Sequence, residues 1–126
     1  METENTVSIW IGNFETKLDL DEFIELKYDD EGEVVPSLFY NQYNIDIDDI
    51  DDYLIEKEVF ETSFTNLFDM LKGASYDNII VNNLKQKGIN PNIAPNNTVI
   101  LIYNYQFDSN VIRTINTEFI ATVKYR

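Results

Sequence analysis

Carboxylates are the only side chains here numerous enough to do acid–base or metal chemistry: 23 Asp and Glu stand against 9 Lys and Arg, with no histidine and no cysteine. Lack of histidine removes the commonest general base and every Ser-His triad. Lack of cysteine removes disulfides, thiolate zinc sites and thiol nucleophiles. Paired carboxylates can cleave a glycoside, and acids holding Mg²⁺ can cut a phosphodiester. Among so many acids, however, some pair always falls at a suitable spacing, so the pairing has no specificity. Glu25-Leu26-Lys27 imitates the Glu-x-Lys of some nucleases, but it lies on a helical stripe with no preceding Pro-Asp. A calcium loop fails as well: with Gly32 as its sixth residue, the first is Lys27 and the twelfth Leu38. The Asp46–Asp52 run has no glycine. No residue is assigned a catalytic, cofactor-binding or metal role, and a cation-dependent hydrolase is the least favoured reading.

The placement of charge is more informative than its amount. Of the 23 acids, 17 lie between Glu15 and Glu61 against Lys17, Lys27 and Lys57, so this segment accounts for the whole net charge of -14. Such a field repels nucleic acid and anionic membrane and attracts cationic proteins. The acids expected to meet a partner are Asp29, Asp30, Glu31 and Glu33, then Asp46, Asp48, Asp49, Asp51, Asp52, Glu56 and Glu58. The plainer reading is a solvated face. Two binding functions use the same feature: an inhibitor of one basic partner protein, and a DNA mimic whose carboxylates stand in for phosphates. Tyr40, Tyr43 and Tyr53 flank these acids, as the aromatic residues of an interface would. Trp10, between β-branched neighbours, reads as core rather than as a binding hot spot.

These acids need a scaffold, and the rest of the sequence provides one. With 44% hydrophobic and 13% aromatic residues, the chain is far too apolar for a disordered acidic tail. A domain of 126 residues can bury roughly two-thirds of its unfolded surface around one core. Met1–Thr6 is polar and acidic, expected to be flexible, and shows no signal-peptide pattern. No apolar run approaches the ~20 residues of a membrane span, so the expected location is the cytoplasm.

Val7–Phe14 alternates as a strand, with Val7, Ile9 and Ile11 on one side, and Gly12-Asn13 stops it. Thr16 caps a helix running to about Leu26, with Leu20, Phe23 and Ile24 inward, and Asp29–Gly32 forms a turn. Pro36–Tyr43 forms a two-turn helix with Pro36 in its first position. Tyr53–Phe60 is a second strand, with Leu54, Glu56, Glu58 and Phe60 on one face. Thr62-Ser63 caps a helix over Phe64, Leu67, Phe68 and Leu71 that ends at Gly73. Ser75 caps another, with Tyr76, Ile79, Ile80 and Leu84 inward and Gly88 as its stop. Asn90–Asn97, with Pro91 and Pro95, is a loop. Val99–Tyr103 is a central strand covered on both faces. Thr117–Tyr125 is the last strand, with Phe119, Ala121, Val123 and Tyr125 on one face. The order β-α-α-β-α-α-β-β predicts a single α+β domain. Its mixed or antiparallel sheet has about four strands, packed with about four helices, and the last two strands are expected to pair as a hairpin.

Three stretches carry a family resemblance: Val7-Ser-Ile-Trp-Ile-Gly-Asn-Phe14, Tyr28-Asp-Asp-Glu-Gly-Glu-Val-Val-Pro-Ser-Leu-Phe39 and Ile50-Asp-Asp-Tyr-Leu-Ile-Glu56. With Asn97–Tyr103 and Glu118–Tyr125, they resemble the immunity protein 22 family over nearly the whole chain, in that family's order. The Trp-x-Gly-Asn strand and the Gly-x-x-x-Pro-Ser segment are the most specific parts. The resemblance implies a cytoplasmic α+β antagonist that protects its producer by binding a cognate polymorphic toxin, in this family often a nuclease, without catalysis; the acidic segment suits a toxin with a basic surface. It implies no catalytic residues. In the last strand the family tends to Phe-Ile-Gly where this chain has Phe119-Ile120-Ala121.

Overall fold

The computed structural model describes all 126 residues, and the alternating strand around Trp10 lies at its centre. β1 (Glu2–Gly12) pairs antiparallel on one side with β5 (Asn92–Tyr105) and on the other with β6 (Thr117–Lys124). β4 (Ile55–Asn66) completes the four-stranded sheet in the order β4-β5-β1-β6. β5 and β6 are therefore not a hairpin. β1 takes the place between them because its two faces supply Val7, Ile9 and Ile11 to one core and Trp10 to the other. A strand apolar on both faces suits a position inside a sheet that is covered on both sides. The residues before Val7 belong to the strand too, after a register shift, and Asn5 accepts a backbone hydrogen bond from Tyr125 at 3.0 Å.

α1 (Lys17–Ile24) and α2 (Leu38–Tyr43) cover the Trp10 face. The Thr16 hydroxyl accepts the Asp19 N–H at 3.1 Å, so the cap read from sequence is present. Between these helices β2 (Lys27–Tyr28) and β3 (Val34–Val35) make a small hairpin around the Asp29–Gly32 turn. Pro36 does not open α2. Ser37 holds the cap position, and its hydroxyl donates to the Glu25 carbonyl, tying the start of α2 to the end of α1. Two 3₁₀ turns, Ile47–Asp49 and Asp52–Leu54, lead into β4.

The opposite face is covered by α3 (Leu67–Leu71) and α4 (Asp77–Gln86), which bury Leu67, Met70, Leu71, Ile80 and Leu84 against Ile9, Leu101 and Val123. Here the expected boundaries shift. β4 continues to Asn66, because Phe64 and Asn66 pair with Asn96 and Asn92 of β5, so Thr62 and Ser63 are strand residues. The cap of α3 is Asn66, whose Oδ1 accepts the Asp69 N–H at 3.1 Å. Pro95 lies within β5, where the ladder with β4 is irregular and can lose a donor. Tyr76, in a left-handed conformation, precedes α4 in place of Ser75, and both Tyr76 and Ile79 are exposed. One β-bulge at Ile120 moves Phe119 to the Trp10 face, while Ala121, Val123 and Tyr125 stay on the other. The Ala121 methyl is part of the core.

The Trp-x-Gly-Asn signature is structural. Trp10 is fully buried, with Phe39, Phe107 and Phe119 edge-on at 5.1–5.3 Å. A Cβ on Gly12 would lie 2.5 Å from the Asn116 carbonyl oxygen and 2.9 Å from Thr117 Cγ2. Asn13 donates its side-chain amide to Asn96 Oδ1 at 3.1 Å and accepts the Asn97 N–H at 3.2 Å, joining β1 to β5. Gly12→Ala is expected to cost about 1–3 kcal/mol, since the obstacle is backbone that must move. A lowered urea midpoint with unchanged slope checks this; an unchanged midpoint contradicts it.

Burial also sets an alkaline limit. Tyr40, Tyr43, Tyr103 and Tyr105 are all held above the usual tyrosine value of 10.0, chiefly because burial disfavours the phenolate. Nearby carboxylates add to this: Asp52 for Tyr40, Glu56 for Tyr103, and Asp108, Asp49 and Asp46 for Tyr105. Above pH 10 the unfolded chain loses these protons while the folded chain keeps them. Stability is therefore complete below that point and falls above it, by about 1.4 kcal/mol per pH unit for each of Tyr40, Tyr103 and Tyr105, whose phenols are raised furthest. Urea titrations from about pH 8 to pH 11 should show a flat midpoint and then a steep fall.

Candidate functional site

Sequence order becomes spatial asymmetry in this fold. Every core contact made between Phe14 and Ile50 goes to the Trp10 face, through residues such as Leu20, Phe23, Phe39 and Tyr43. The layer from Glu15 to Asp52 holds 14 of the 23 acids and only Lys17 and Lys27. On the other side, α3, α4 and their C-caps carry Asp69 and Asp77 against Lys72, Lys85 and Lys87. One layer is anionic and the other is nearly balanced.

Within the anionic layer the turns fix the carboxylates. Asp29 Oδ1 accepts the N–H groups of Glu31 and Glu33, both at 2.9 Å, so the turn closes on its own acid. Asp46 and Asp51 open the two 3₁₀ turns in the same way, accepting Asp48 N–H at 2.9 Å and Tyr53 N–H at 3.0 Å. Asp29, Asp30, Glu31, Glu33, Asp46, Asp48, Asp51 and Asp52 are exposed and form no ion pair. Asp49 lies 3.7 Å from the Met1 amine. Apolar side chains stand among these acids. Leu38 and Val35 line a groove of about 650 Å³ with Glu15, Asp19 and Glu22. Sequence reading passed over these three acids, though Asp19 and Glu22 sit at i and i+3 on α1, a spacing that puts them on one face.

Two of the eleven candidate acids are elsewhere. Glu56 and Glu58 project from β4 on the face with Leu54 and Phe60, towards α3 and α4. Glu56 accepts the Tyr103 hydroxyl at 2.7 Å and the Ser75 N–H at 3.1 Å, so it already holds the loop before α4 against the sheet. Of the tyrosines beside acids, Tyr40 and Tyr43 are core, their hydroxyls hydrogen-bonded to the Ile24 carbonyl and to Thr117. Tyr53 is 94% exposed. No group of three acids comes together as a metal ion would need.

The family model described as Immunity protein 22 matches residues 7–126. The chain belongs to that family. No curated protein and no solved structure matches it. Membership in the immunity protein 22 family assigns a role in toxin immunity and implies a partner toxin. The motifs that mark this immunity protein, Trp10-x-Gly12-Asn13 and Gly32-x-x-x-Pro36-Ser37, are spent on packing and turn geometry. Gly32 takes φ +80° in the hairpin turn, and Ser37 ties two helices together. No helix is long and apolar enough to cross a membrane.

Proposed function

We infer that this immunity protein neutralises a nuclease toxin by laying its anionic layer over the toxin's cationic substrate site. Nuclease sites are basic because they bind phosphates, and an array of fixed carboxylates is complementary to them. The observation that carries this reading is the exposure of eight unpaired acids in the Asp29–Glu33 and Asp46–Asp52 turns, on a layer with only two lysines. Leu38, Val35 and Tyr28 add apolar contact within that charged surface. Barnase and barstar are the established example of this physics.

The test is to mix the purified chain with the toxin encoded beside it and to co-express the two in cells. A stoichiometric complex that weakens with salt, together with rescue of growth, is expected. Absence of both a complex and rescue would end the reading.

A further inference from the structure

A second recess lies where Tyr53 leaves the acidic turns. It has a volume of about 410 Å³ and is lined by Tyr53, Glu56, Ser75, Tyr76, Tyr103 and Tyr125, with Arg126 at one wall. Three of its rings touch: Tyr76 and Tyr125 at 4.9 Å, Tyr103 and Tyr125 at 5.0 Å, Tyr76 and Tyr103 at 6.2 Å between centroids. Tyr76 is 47% exposed.

We propose that this recess receives an arginine side chain of the bound toxin, stacked on Tyr76 and Tyr53 and paired with Glu56. Four observations support it. Glu56 is half-buried, receives only neutral donors and has no ion pair, so it is an anion without a counter-charge. Aromatic faces attract a guanidinium, and this recess already stacks one: Arg126 Cζ is 5.5 Å from the Tyr125 ring centroid. The Arg126 Nε donates to Asn5 Oδ1 at 2.9 Å, which holds that guanidinium at its own wall and leaves Glu56 unpaired. Tyr76 has φ 59° and neighbouring Asn104 φ 57°. A left-handed tyrosine is strained, and such strain persists at binding sites where the surroundings enforce it. Here it presents the ring to the recess. The chemistry of the occupant follows from the recess itself; only its owner rests on the antagonist reading.

The probe is N-acetyl-arginine amide, titrated into the ¹⁵N-labelled chain, with the neutral N-acetyl-citrulline amide as control. Arginine should shift the amides of Ser75, Tyr76 and Asn104, and citrulline should not. Glu56→Gln keeps an acceptor for Tyr103, and Tyr76→Asn keeps a residue that tolerates the left-handed backbone; each should weaken arginine binding about 2- to 30-fold. Equal shifts from citrulline, shifts confined to Asp46–Asp52, no shifts, or wild-type binding by both variants would overturn the proposal. Selective shifts without any toxin complex would instead overturn the antagonist reading alone.

Discussion

Converting Asp29, Asp30, Glu31, Glu33, Asp48, Asp51 and Asp52 to their amides should slow association with the cognate toxin by about 10- to 1,000-fold at low ionic strength. These side chains carry seven of the exposed, unpaired charges of the anionic layer. Their effect is long-range, so it belongs to the encounter step, whereas the dissociation rate should change far less. Salt should erase the difference, because the screening length falls from roughly 10 Å at 0.1 M to 3 Å at 1 M. The folded state should tolerate the change. An amide oxygen can still accept the turn hydrogen bonds that Asp29 and Asp51 accept, and removing like charges from a chain of net charge -14 relieves self-repulsion. Stopped-flow association across a salt series, with a urea titration of the variant, separates these effects. A variant that associates as fast as the native chain would remove electrostatic steering from the account.

Truncating Trp10 to Ala should cost about 3–5 kcal/mol, a large share of the 5–15 kcal/mol that holds a typical domain folded. The indole is wholly buried, and Phe39, Tyr43, Phe107 and Phe119 approach it edge-on from α2, the segment after β5 and β6. Removing it leaves a cavity that three separate elements would have to move to close. Trp10→Phe should be milder, within about 2 kcal/mol, because the indole Nε1 is a buried donor without a partner and its loss relieves an unmet demand. Urea unfolding of both variants tests this. If Trp10 were instead a contact residue, Trp10→Phe would weaken toxin binding while leaving the unfolding midpoint unchanged.

Local signals were readable in the sequence and long-range ones were not. The alternation of Val7, Ile9 and Ile11, the Thr16 cap and the apolar run Val99–Tyr103 each act within a few residues, and each appears in the structure as read. The pairing of β1 with both β5 and β6 depends on contacts between 86 residues apart (Gly12 with Thr98) and 118 residues apart (Thr6 with Lys124), for which periodicity gives no cue. The same cause explains the end of β4. Phe64, Leu67, Phe68 and Leu71 have helical spacing, yet pairing of Phe64 with Asn96 keeps it in the strand. At the candidate site, the sequence showed which segment is anionic, and the fold turned its Glu15–Asp52 part into one layer. It could not show that the side-chain alternation of β4 points Glu56 and Glu58 away from that layer. Nor could it show that Tyr76, read as inward, would be held left-handed and exposed.

Amide hydrogen exchange of the free chain against its toxin complex measures directly which layer meets the toxin. Added protection is expected in the Asp29–Glu33 hairpin turn, the Asp46–Leu54 turns and the exposed end of α1, with the outer face of α4 unchanged. Protection confined to α3 and α4, with the acidic turns exchanging as in the free chain, would contradict it.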